Sequence, residues 1–403
     1  MLQPVSAKML LDRHILDNPY PFYRTLQREA PVWQVPGTNI FLITRYTLLE
    51  EAVRRVEDFS SSLTGILYRK FNGLPGRVVY NSGVLQVLAT ADPPIHSHHK
   101  TTVFSHFSAK RVGALRPEIE DLAVKCVTNA LVKGKVDFME DIGNPLPMQI
   151  VTNLVGFNGS NTQKLLQAAF DSTAIVSGSS SIFQLGWYML RSYHIYRWLS
   201  AQLRSASAES PNILGAIRQG IDSGQLREIE GRVFLHLFLA AGGESTTSML
   251  GSAVRILADD PSLQSRLRSQ PELIPAFLEE VLRLEAPFRF HLRSTPRDTV
   301  IGGVQIPSGA TVLLFWGAGN RDPEIFHNPD EIDLARPKKH MTFGRGIHTC
   351  IGAPLARLEA QTLLEVLLDC TSGIALDPYE SPCWVNSLQV RRYEKLPVIL
   401  TPR

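Results

Sequence analysis

The residues best suited to chemistry form a short loop near the C-terminal end of the chain, Phe343-Gly-Arg-Gly-Ile-His-Thr-Cys-Ile-Gly352. Cys350 stands just ahead of a predicted helix that begins at Ala353, where backbone N–H groups favour the thiolate form of its sulfur. The three glycines of the loop allow the backbone to wrap closely around a flat, bulky group. The loop therefore predicts a cradle for a metal-containing cofactor, with Cys350 as the ligand of the metal.

Two simpler interpretations of this cysteine compete. A single cysteine is more often a small buried side chain without chemistry, and a zinc site would pair Cys350 with His348. No second ligand pair lies at a spacing suitable for zinc. Given the composition of this chain, Phe, three Gly, His and Cys at these six offsets would occur by chance about once in a million. The whole pattern favours a dedicated cofactor loop.

The elements that must position this loop are predicted to be mostly helices. Apolar residues recur at helical spacing from about Ser108 to Leu284, and the segment from Arg232 to Asp260 is apolar on nearly every face, as in a buried helix spanning roughly 40 Å. A later helix is expected from Ala353 to about Leu368. Patterns of short helices, strands and turns predict a helix at Thr47–Val56, a hairpin at Val300–Gly309 and strands at Ile40–Thr44, Thr311–Trp316, Gln389–Tyr393 and Val398–Leu400.

The predicted fold class is mainly α with a smaller β region, and residues 1–403 are expected to form a single domain because no linker or repeat divides them. Hydrophobic residues make up 44% of the chain, which permits a large core. A balance of 41 Lys plus Arg against 38 Asp plus Glu argues against a nucleic-acid partner. Irregularly spaced cysteines, no secretory signal and no membrane anchor together predict a cytoplasmic protein.

The cysteine loop resembles the FGxGxHxCxG haem-ligand signature of the cytochrome P450 monooxygenases, and the match is complete. An acid–hydroxyl helix, a Glu-x-x-Arg helix and the cysteine loop follow one another in the family's order. The resemblance thus covers nearly the whole chain. It implies the cytochrome P450 fold with a long central helix over haem, a bacterial enzyme of the soluble type, and haem b (iron protoporphyrin IX) with Cys350 as axial thiolate. Such a thiolate favours cleavage of an iron-bound O–O bond.

The resemblance also assigns residues around the cofactor. Phe343 and Gly352 belong to the ligand loop. The two haem propionates require cationic or hydrogen-bonding partners, and the matching positions are His96, Lys100, Arg293 and His348. Lys100 stands where arginine is usual, and it would neutralise a propionate without bidentate geometry.

A Glu-x-x-Arg pair on the predicted helix after Pro271 is expected to be structural. The resemblance implies that Glu280 and Arg283 form a buried pair that also engages Arg336. The same spacing recurs at Glu51 and Arg54, where a solvated helix face is expected.

The long apolar helix contains Ala241-Gly-Gly-Glu-Ser-Thr246, in which two adjacent glycines are unfavourable in a helix interior. One interpretation is a locally widened helix in which Glu244, Ser245 and Thr246 deliver protons during oxygen activation. The other is that the glycines merely allow close packing and Glu244 is salt-bridged. The family usually has threonine where this chain has Ser245, which keeps the hydroxyl but lacks the methyl group that fixes its rotamer.

The resemblance implies a monooxygenase that uses O2 and two electrons, with ferredoxin and ferredoxin reductase as donors. A basic cluster near Cys350, comprising Lys338, Lys339, Arg345 and Arg357, is expected to dock an acidic ferredoxin. Aromatic residues between Phe170 and Trp198 are compatible with a pocket for a lipophilic small-molecule substrate, and equally with core packing, which is the commoner role of aromatic residues at helical spacing. The alternatives are a peroxide-driven or oxidative-coupling haem-thiolate enzyme and a non-catalytic haem protein that binds a ligand.

Overall fold

Helices dominate the structure, as the apolar periodicity predicts. The computed structural model describes residues 5–79, 86–159 and 161–403. Within these ranges the α-helices are α1 (Arg13–Asp17), α2 (Tyr20–Glu29), α3 (Tyr46–Arg54), α4 (Ile95–Phe104), α5 (Ala109–Gly113), α6 (Arg116–Lys133), α7 (Pro145–Val155), α8 (Thr162–Val176), α9 (Ile182–Ser205), α10 (Ile213–Asp222), α11 (Glu228–Asp259), α12 (Pro261–Ser269), α13 (Ile274–Leu284), α14 (Trp316–Gly319) and α15 (Ala353–Cys370).

The strands are short and form one larger sheet and several small ones. In chain order they are β1 (Val32–Gln34), β2 (Ile40–Ile43), β3 (Gly65–Arg69), β4 (Pro75–Val79), β5 (Lys135–Asp137), β6 (His291–Ser294), β7 (Thr299–Ile301), β8 (Val304–Ile306), β9 (Thr311–Leu314), β10 (Thr371–Leu376), β11 (Cys383–Trp384), β12 (Tyr393–Lys395) and β13 (Pro397–Pro402). The four-stranded sheet has the order β1-β2-β9-β6, with only the β2–β9 pair parallel. The antiparallel order β10-β13-β5 forms a second sheet, and β3–β4, β7–β8 and β11–β12 are two-stranded.

Helix α11 is the central element of the core. Its 32 residues extend about 48 Å at 1.5 Å per residue. Leu250, Ala253 and Leu257 in its C-terminal half are fully buried in one apolar cluster with residues of α6, α13 and α15. Phe234 and Leu239 in its N-terminal half belong to a second cluster with α7, α9 and α10. The prediction of a long buried helix is therefore confirmed.

Most of the predicted elements are present, and the mainly α class with a smaller β region is confirmed. The strand at Gln389–Tyr393 is wrong, because β12 begins only at Tyr393 and Val390 forms just an isolated bridge with Phe288. The reason is that the backbone of this segment pairs at one point only: the N–H of Arg391 donates to the carbonyl of Pro287 at 2.8 Å and the N–H of Arg289 to that of Gln389 at 2.7 Å, on either side of the bridge. Across the described ranges, no helix is both long and apolar enough to cross a bilayer.

A buried ion cluster fixes the segment that leads into the cysteine loop. The carboxylate of Glu280 accepts hydrogen bonds from Arg283 Nε at 2.7 Å and from the second guanidinium nitrogen at 2.9 Å. It also accepts from Arg336 Nε at 3.1 Å and from the backbone N–H of Asp333 at 3.0 Å. The predicted pair and its contact with Arg336 are thus present, and α13 is joined to residues 333–336.

The second Glu-x-x-Arg sequence behaves differently, as expected for a solvated face. Glu51 pairs with Arg55 at 2.5 Å rather than with Arg54, and Arg54 approaches Glu50 only at 4.0 Å with a largely exposed side chain. The two sequences therefore form a matched pair of sites, one buried and one open to solvent.

Replacing Glu280 by Ala should destabilise the holoprotein by about 3–5 kcal/mol, since it leaves two buried guanidinium groups without their carboxylate. The control Glu51→Ala should cost no more than about 1 kcal/mol because its pair is solvent-screened. Thermal and urea unfolding, followed by circular dichroism, compares the two variants. Equal losses in both would contradict a structural role for the buried cluster.

Candidate active site

The cysteine loop is a tight turn closed by its own backbone. The N–H of Cys350 donates to the carbonyl of Phe343 at 2.8 Å, and a 3₁₀ turn at Gly346–His348 lies between them. Gly344 and Gly346 have φ angles of +68° and +71°, a region that side chains disfavour. A Cβ atom on Gly344 would also lie 3.3 Å from the carbonyl oxygen of His348. The sequence prediction that glycines permit this wrapping is consistent with the geometry.

Cys350 lies at the N-terminal end of α15, as predicted, but the net effect on its thiol differs from the prediction. The side chain is accessible to solvent yet closely surrounded by protein, the combination that an internal recess produces. Burial raises the pKa of the Cys350 thiol, although hydrogen bonds from the N–H groups of Gly352 and Ala353 act to lower it. Desolvation of the sulfur therefore outweighs the helix terminus, and a bound cation would favour the thiolate.

A charged network supports the loop from the side of α13. Arg357 donates to the two oxygens of Glu279 at 2.6 and 3.0 Å, and its guanidinium lies 4.5 Å from the centre of the Phe343 ring. His340 Nε2 lies 3.1 Å from the same carboxylate. Burial alone would raise the pKa of Glu279, but hydrogen bonds from His340 and Arg357 lower it to about 2. Glu279 is therefore ionised and holds both neighbours in place.

The four predicted propionate partners converge on the loop. The rings of His96 and His348 are 4.3 Å apart, and Lys100 Nζ donates to the carbonyl of Ile347 at 3.2 Å. Burial lowers the pKa of Arg293 to about 10. Burial, with Arg293 as the next contributor, lowers the pKa of His348 to about 3, which places the two side chains in one electrostatic neighbourhood.

This donor set fits a haem. Within the described residues, none of His96, Lys100, Arg293 and His348 forms an ion pair with a protein carboxylate. A group with two carboxylates and a metal that prefers sulfur would satisfy both these side chains and Cys350. Cβ atoms on Gly344 and Gly346 would lie 3.3 and 3.4 Å from backbone carbonyl oxygens, so the glycines allow the loop beside Cys350 to close tightly.

On α11, the structure fits the packing interpretation of the glycine pair. The helix continues through Gly242 and Gly243 without a 3₁₀ or π turn, so the predicted widening is wrong. A Cβ on Gly242 would lie 2.6 Å from Val151, and one on Gly243 would lie 2.3 Å from Met148. Contact with α7 therefore favours glycine at Gly242, where the branched Val151 cannot easily move, whereas the flexible end of Met148 could shift away from a side chain at position 243.

The acid of this helix is buried and fully engaged. Glu244 is 2% exposed, and its Oε1 accepts a hydrogen bond from Arg392 Nε at 3.1 Å. Its other oxygen accepts from the hydroxyl of Thr173 on α8. Burial raises the pKa of Glu244, whereas Arg392 and the two hydrogen bonds act in the opposite direction. The carboxyl is thus salt-bridged, as the alternative interpretation expected.

The neighbouring hydroxyls do not contact this acid. Ser245 Oγ donates to the carbonyl of Ala241 at 2.6 Å, one turn back along the same helix. Ser245 is half-buried and Thr246 is buried. Among the described residues, no hydrogen bond joins Glu244 to Ser245 or Thr246, so a relay through all three is not assembled in this conformation.

Sequence reasoning missed Thr173 and Arg392 as partners of Glu244. They lie 71 and 148 residues away from it along the chain. The guanidinium of Arg392 also lies 3.7 Å from the centre of the Phe170 ring. No local spacing rule links such positions, since their proximity depends on how α8 and the C-terminal segment pack against α11.

The aromatic residues between Phe170 and Trp198 differ in their burial. Phe183, Trp187 and Tyr193 on α9 are exposed, and only some aromatic residues, such as Trp198, pack inward. At these positions α9 therefore presents aromatic rings to solvent instead of burying them.

The predicted basic docking cluster is only partly free. Arg357 is held by Glu279, and Arg345 lies 3.4 Å from Glu50 while donating to the carbonyl of Lys339. The ammonium groups of Lys338 and Lys339 are exposed, and neither pairs with a carboxylate in the described part of the chain.

Comparison with known proteins identifies this architecture. The family model "Cytochrome P450" matches residues 214–370. Cytochrome P450 144 of Mycobacterium tuberculosis is 35% identical over 396 residues, which cover 97% of this chain and 91% of that protein. The chain belongs to the cytochrome P450 family. Its family implies haem ligated by a cysteine thiolate, the arrangement that the loop geometry fits.

Two further relatives define the P450 class more closely. Beta-dihydromenaquinone-9 omega-hydroxylase of Mycobacterium tuberculosis is 31% identical over 401 residues, covering 97% of this P450 and 78% of that protein. The structure of cytochrome P450 CYP109Q5 from Chondromyces apiculatus has a TM-score of 0.83 and 29% identity, covering 98% of both chains. The P450 described here is a monooxygenase, and hence an oxidoreductase.

The Arg392→Leu variant should raise the pKa of Glu244 further, because the cation that opposes burial is removed. At neutral pH the protonated fraction of Glu244 should therefore increase. Infrared difference spectra on pH titration would detect the carbonyl band of the buried acid, assigned by its loss in Glu244→Gln.

The control for this experiment is Arg54→Leu, which removes an exposed guanidinium far from any buried acid. It should leave the band unchanged. An unchanged titration in Arg392→Leu as well would contradict the assigned electrostatic role.

Proposed function

We propose that this P450 binds haem b through Cys350 and uses two electrons from ferredoxin and ferredoxin reductase to insert one atom of O2 into a lipophilic small molecule in the cytoplasm. The observation that carries the proposal is the position of Cys350, with two backbone N–H donors directed at its sulfur and a glycine turn beside it. When bound, the haem supplies oxygen activation.

Residues of this chain would bind the haem propionates, shape the ligand loop and transfer protons. His96, Lys100, Arg293 and His348 would bind the propionates, while Phe343 and Gly352 shape the ligand loop. Glu244 would take up and pass on the protons that catalysis consumes, and burial, which raises the pKa of its carboxyl, favours that uptake. To transfer a proton, the carboxyl of Glu244 would have to break its hydrogen bond with Thr173 or Arg392. It would then bind a water molecule that also contacts Ser245 or Thr246.

The substrate class is inferred from one relative, which is named as a hydroxylase of beta-dihydromenaquinone-9. In this chain, the turn at Ser387–Leu388 packs against the loop between α8 and α9, where the N–H of Leu388 donates to Ser179 Oγ at 2.6 Å. Phe290 and Leu388 are buried in an apolar core cluster, so they stabilise this region rather than line a cavity.

A peroxide-driven reaction is the second candidate, and one observation favours it. Glu244 has no hydrogen bond to Ser245 or Thr246 among the described residues. Peroxide already carries the protons that O2 must otherwise acquire, so a peroxide-driven enzyme does not need an assembled relay.

The test is turnover of a panel of lipophilic compounds, chosen by the shift that they cause in the main haem absorption band. With NADPH, ferredoxin reductase and a [2Fe–2S] ferredoxin, label from isotopic O2 should enter the product. Product formed with peroxide alone, and none with the electron-transfer chain, would instead establish the second candidate.

The ferredoxin requirement is tested by charge reversal at the two free lysines. Lys338→Glu/Lys339→Glu should slow reduction by ferredoxin at least about tenfold at low salt, because a complementary contact becomes repulsive. The rate is read from the carbon monoxide complex after NADPH addition, so no substrate is needed. Lys164→Glu, an exposed charge change on α8, should have less than about a twofold effect; equal slowing in both variants would refute docking at these lysines.

A further inference from the structure

Large apolar side chains are exposed together on one part of the surface. Phe71 is 89% exposed, Phe183 is 72% exposed and Trp187 is 57% exposed. We call this surface the apolar face; it comprises the exposed side chains of Phe71, Ile182, Phe183, Trp187, Leu190 and Tyr193. Single exposed apolar residues are common, but a contiguous group marks a surface that binds something.

Backbone and ring contacts show that the face is continuous. The N–H of Arg69, at the end of β3, donates to the carbonyl of Ser180 at 2.8 Å. Beyond this junction, the rings of Phe71 and Phe183 are 5.9 Å apart. Along α9, the spacing of Phe183, Trp187 and Leu190 places them on one side of the helix. The β3–β4 hairpin and the first turns of α9 therefore present their apolar side chains together.

The two chain segments that carry this face contain basic but no acidic residues. Residues 59–91 and 172–208, which contain the whole face, include no Asp or Glu, although the chain has 38. They contain six Lys or Arg residues. Arg191 pairs with the buried Asp171 at 3.0 Å. Four others of these six are exposed and make no ion pair with the described residues: Arg69, Lys70, Arg197 and Arg204.

We propose that the apolar face docks on the surface of an anionic lipid bilayer. Acyl chains would cover the rings, the Trp187 and Tyr193 side chains would lie at headgroup level, and the surrounding basic groups would contact lipid phosphates. This contact is peripheral and requires no membrane-spanning helix. It is independent of the chemistry at Cys350.

Two other occupants fit the same surface less well. A symmetric contact with a second copy of the chain would bring the basic groups of both copies together, which is repulsive. An acidic protein would neutralise the charges, but polar and charged residues would be poor partners for so many exposed rings. A bilayer with anionic lipids satisfies the rings and the charges at once.

The experiment is flotation of the holoprotein with phosphatidylcholine vesicles that contain either no anionic lipid or about one-third phosphatidylglycerol. The protein should float with the anionic vesicles and much less with the neutral ones, and added salt should reduce the bound fraction. In Phe183→Ser/Trp187→Ser, partitioning into anionic vesicles should fall at least about tenfold. An unchanged haem absorption spectrum shows that this variant is folded.

Val132→Ser/Tyr379→Ser is the matched control, since these two apolar side chains are each 86% exposed outside the face. It should bind vesicles like the unmodified protein. Vesicles with brominated acyl chains should quench tryptophan emission, and Trp187→Phe should lose most of this quenching while keeping its binding.

Three results would overturn the proposal. The first is equal flotation with neutral and anionic vesicles, or binding that survives in Phe183→Ser/Trp187→Ser. The second is a dimer, seen by sedimentation, that the same variant abolishes. The third is capture of an acidic carrier protein by the face without any vesicle binding.

Discussion

The structure depends on placing a sulfur atom that must become an anion inside the protein. Burial works against the Cys350 thiolate, and the N–H groups of Gly352 and Ala353 offset only part of that cost. The loop must therefore be held firmly enough for the sulfur to meet a cation. Its closure by the Cys350-to-Phe343 backbone hydrogen bond meets this requirement, and the left-handed glycines make that closure possible.

Helix α13 anchors the chain that enters the loop. Glu280 binds Arg336, Glu279 lies beside His340, and Thr342 Oγ1 donates to the carbonyl of Leu282 at 2.6 Å. Successive points before Phe343 are thus tied to one helix. Glu244 on α11 is instead held by two separate parts of the chain, Thr173 on α8 and Arg392 in the C-terminal segment. Several hydrogen bonds thus fix the segment that leads to Cys350, whereas the proposed proton delivery by Glu244 would require a rearrangement.

Sequence could predict the features that are encoded locally. The glycine positions, Cys350 and the helix after it lie within a dozen residues, and the Val300–Gly309 hairpin and the long α11 follow from short-range periodicity. Contacts between distant segments could not be read in this way. Arg392 and Thr173 reach Glu244 only because the helices pack as they do. Composition alone also does not indicate that Phe183, Trp187 and Tyr193 are exposed on α9. The net rise in the Cys350 pKa also depends on surroundings that the local pattern omits.

The central claim is that Cys350 reaches the haem iron as a thiolate, and reduction of the purified holoprotein under carbon monoxide tests it most directly. The account predicts the long-wavelength absorption band of a thiolate-ligated haem. That band should vanish in Cys350→Ser and persist in Cys383→Ser, which changes an exposed free cysteine. A spectrum of the imidazole-ligated type, or one that Cys350→Ser leaves unchanged, would contradict it.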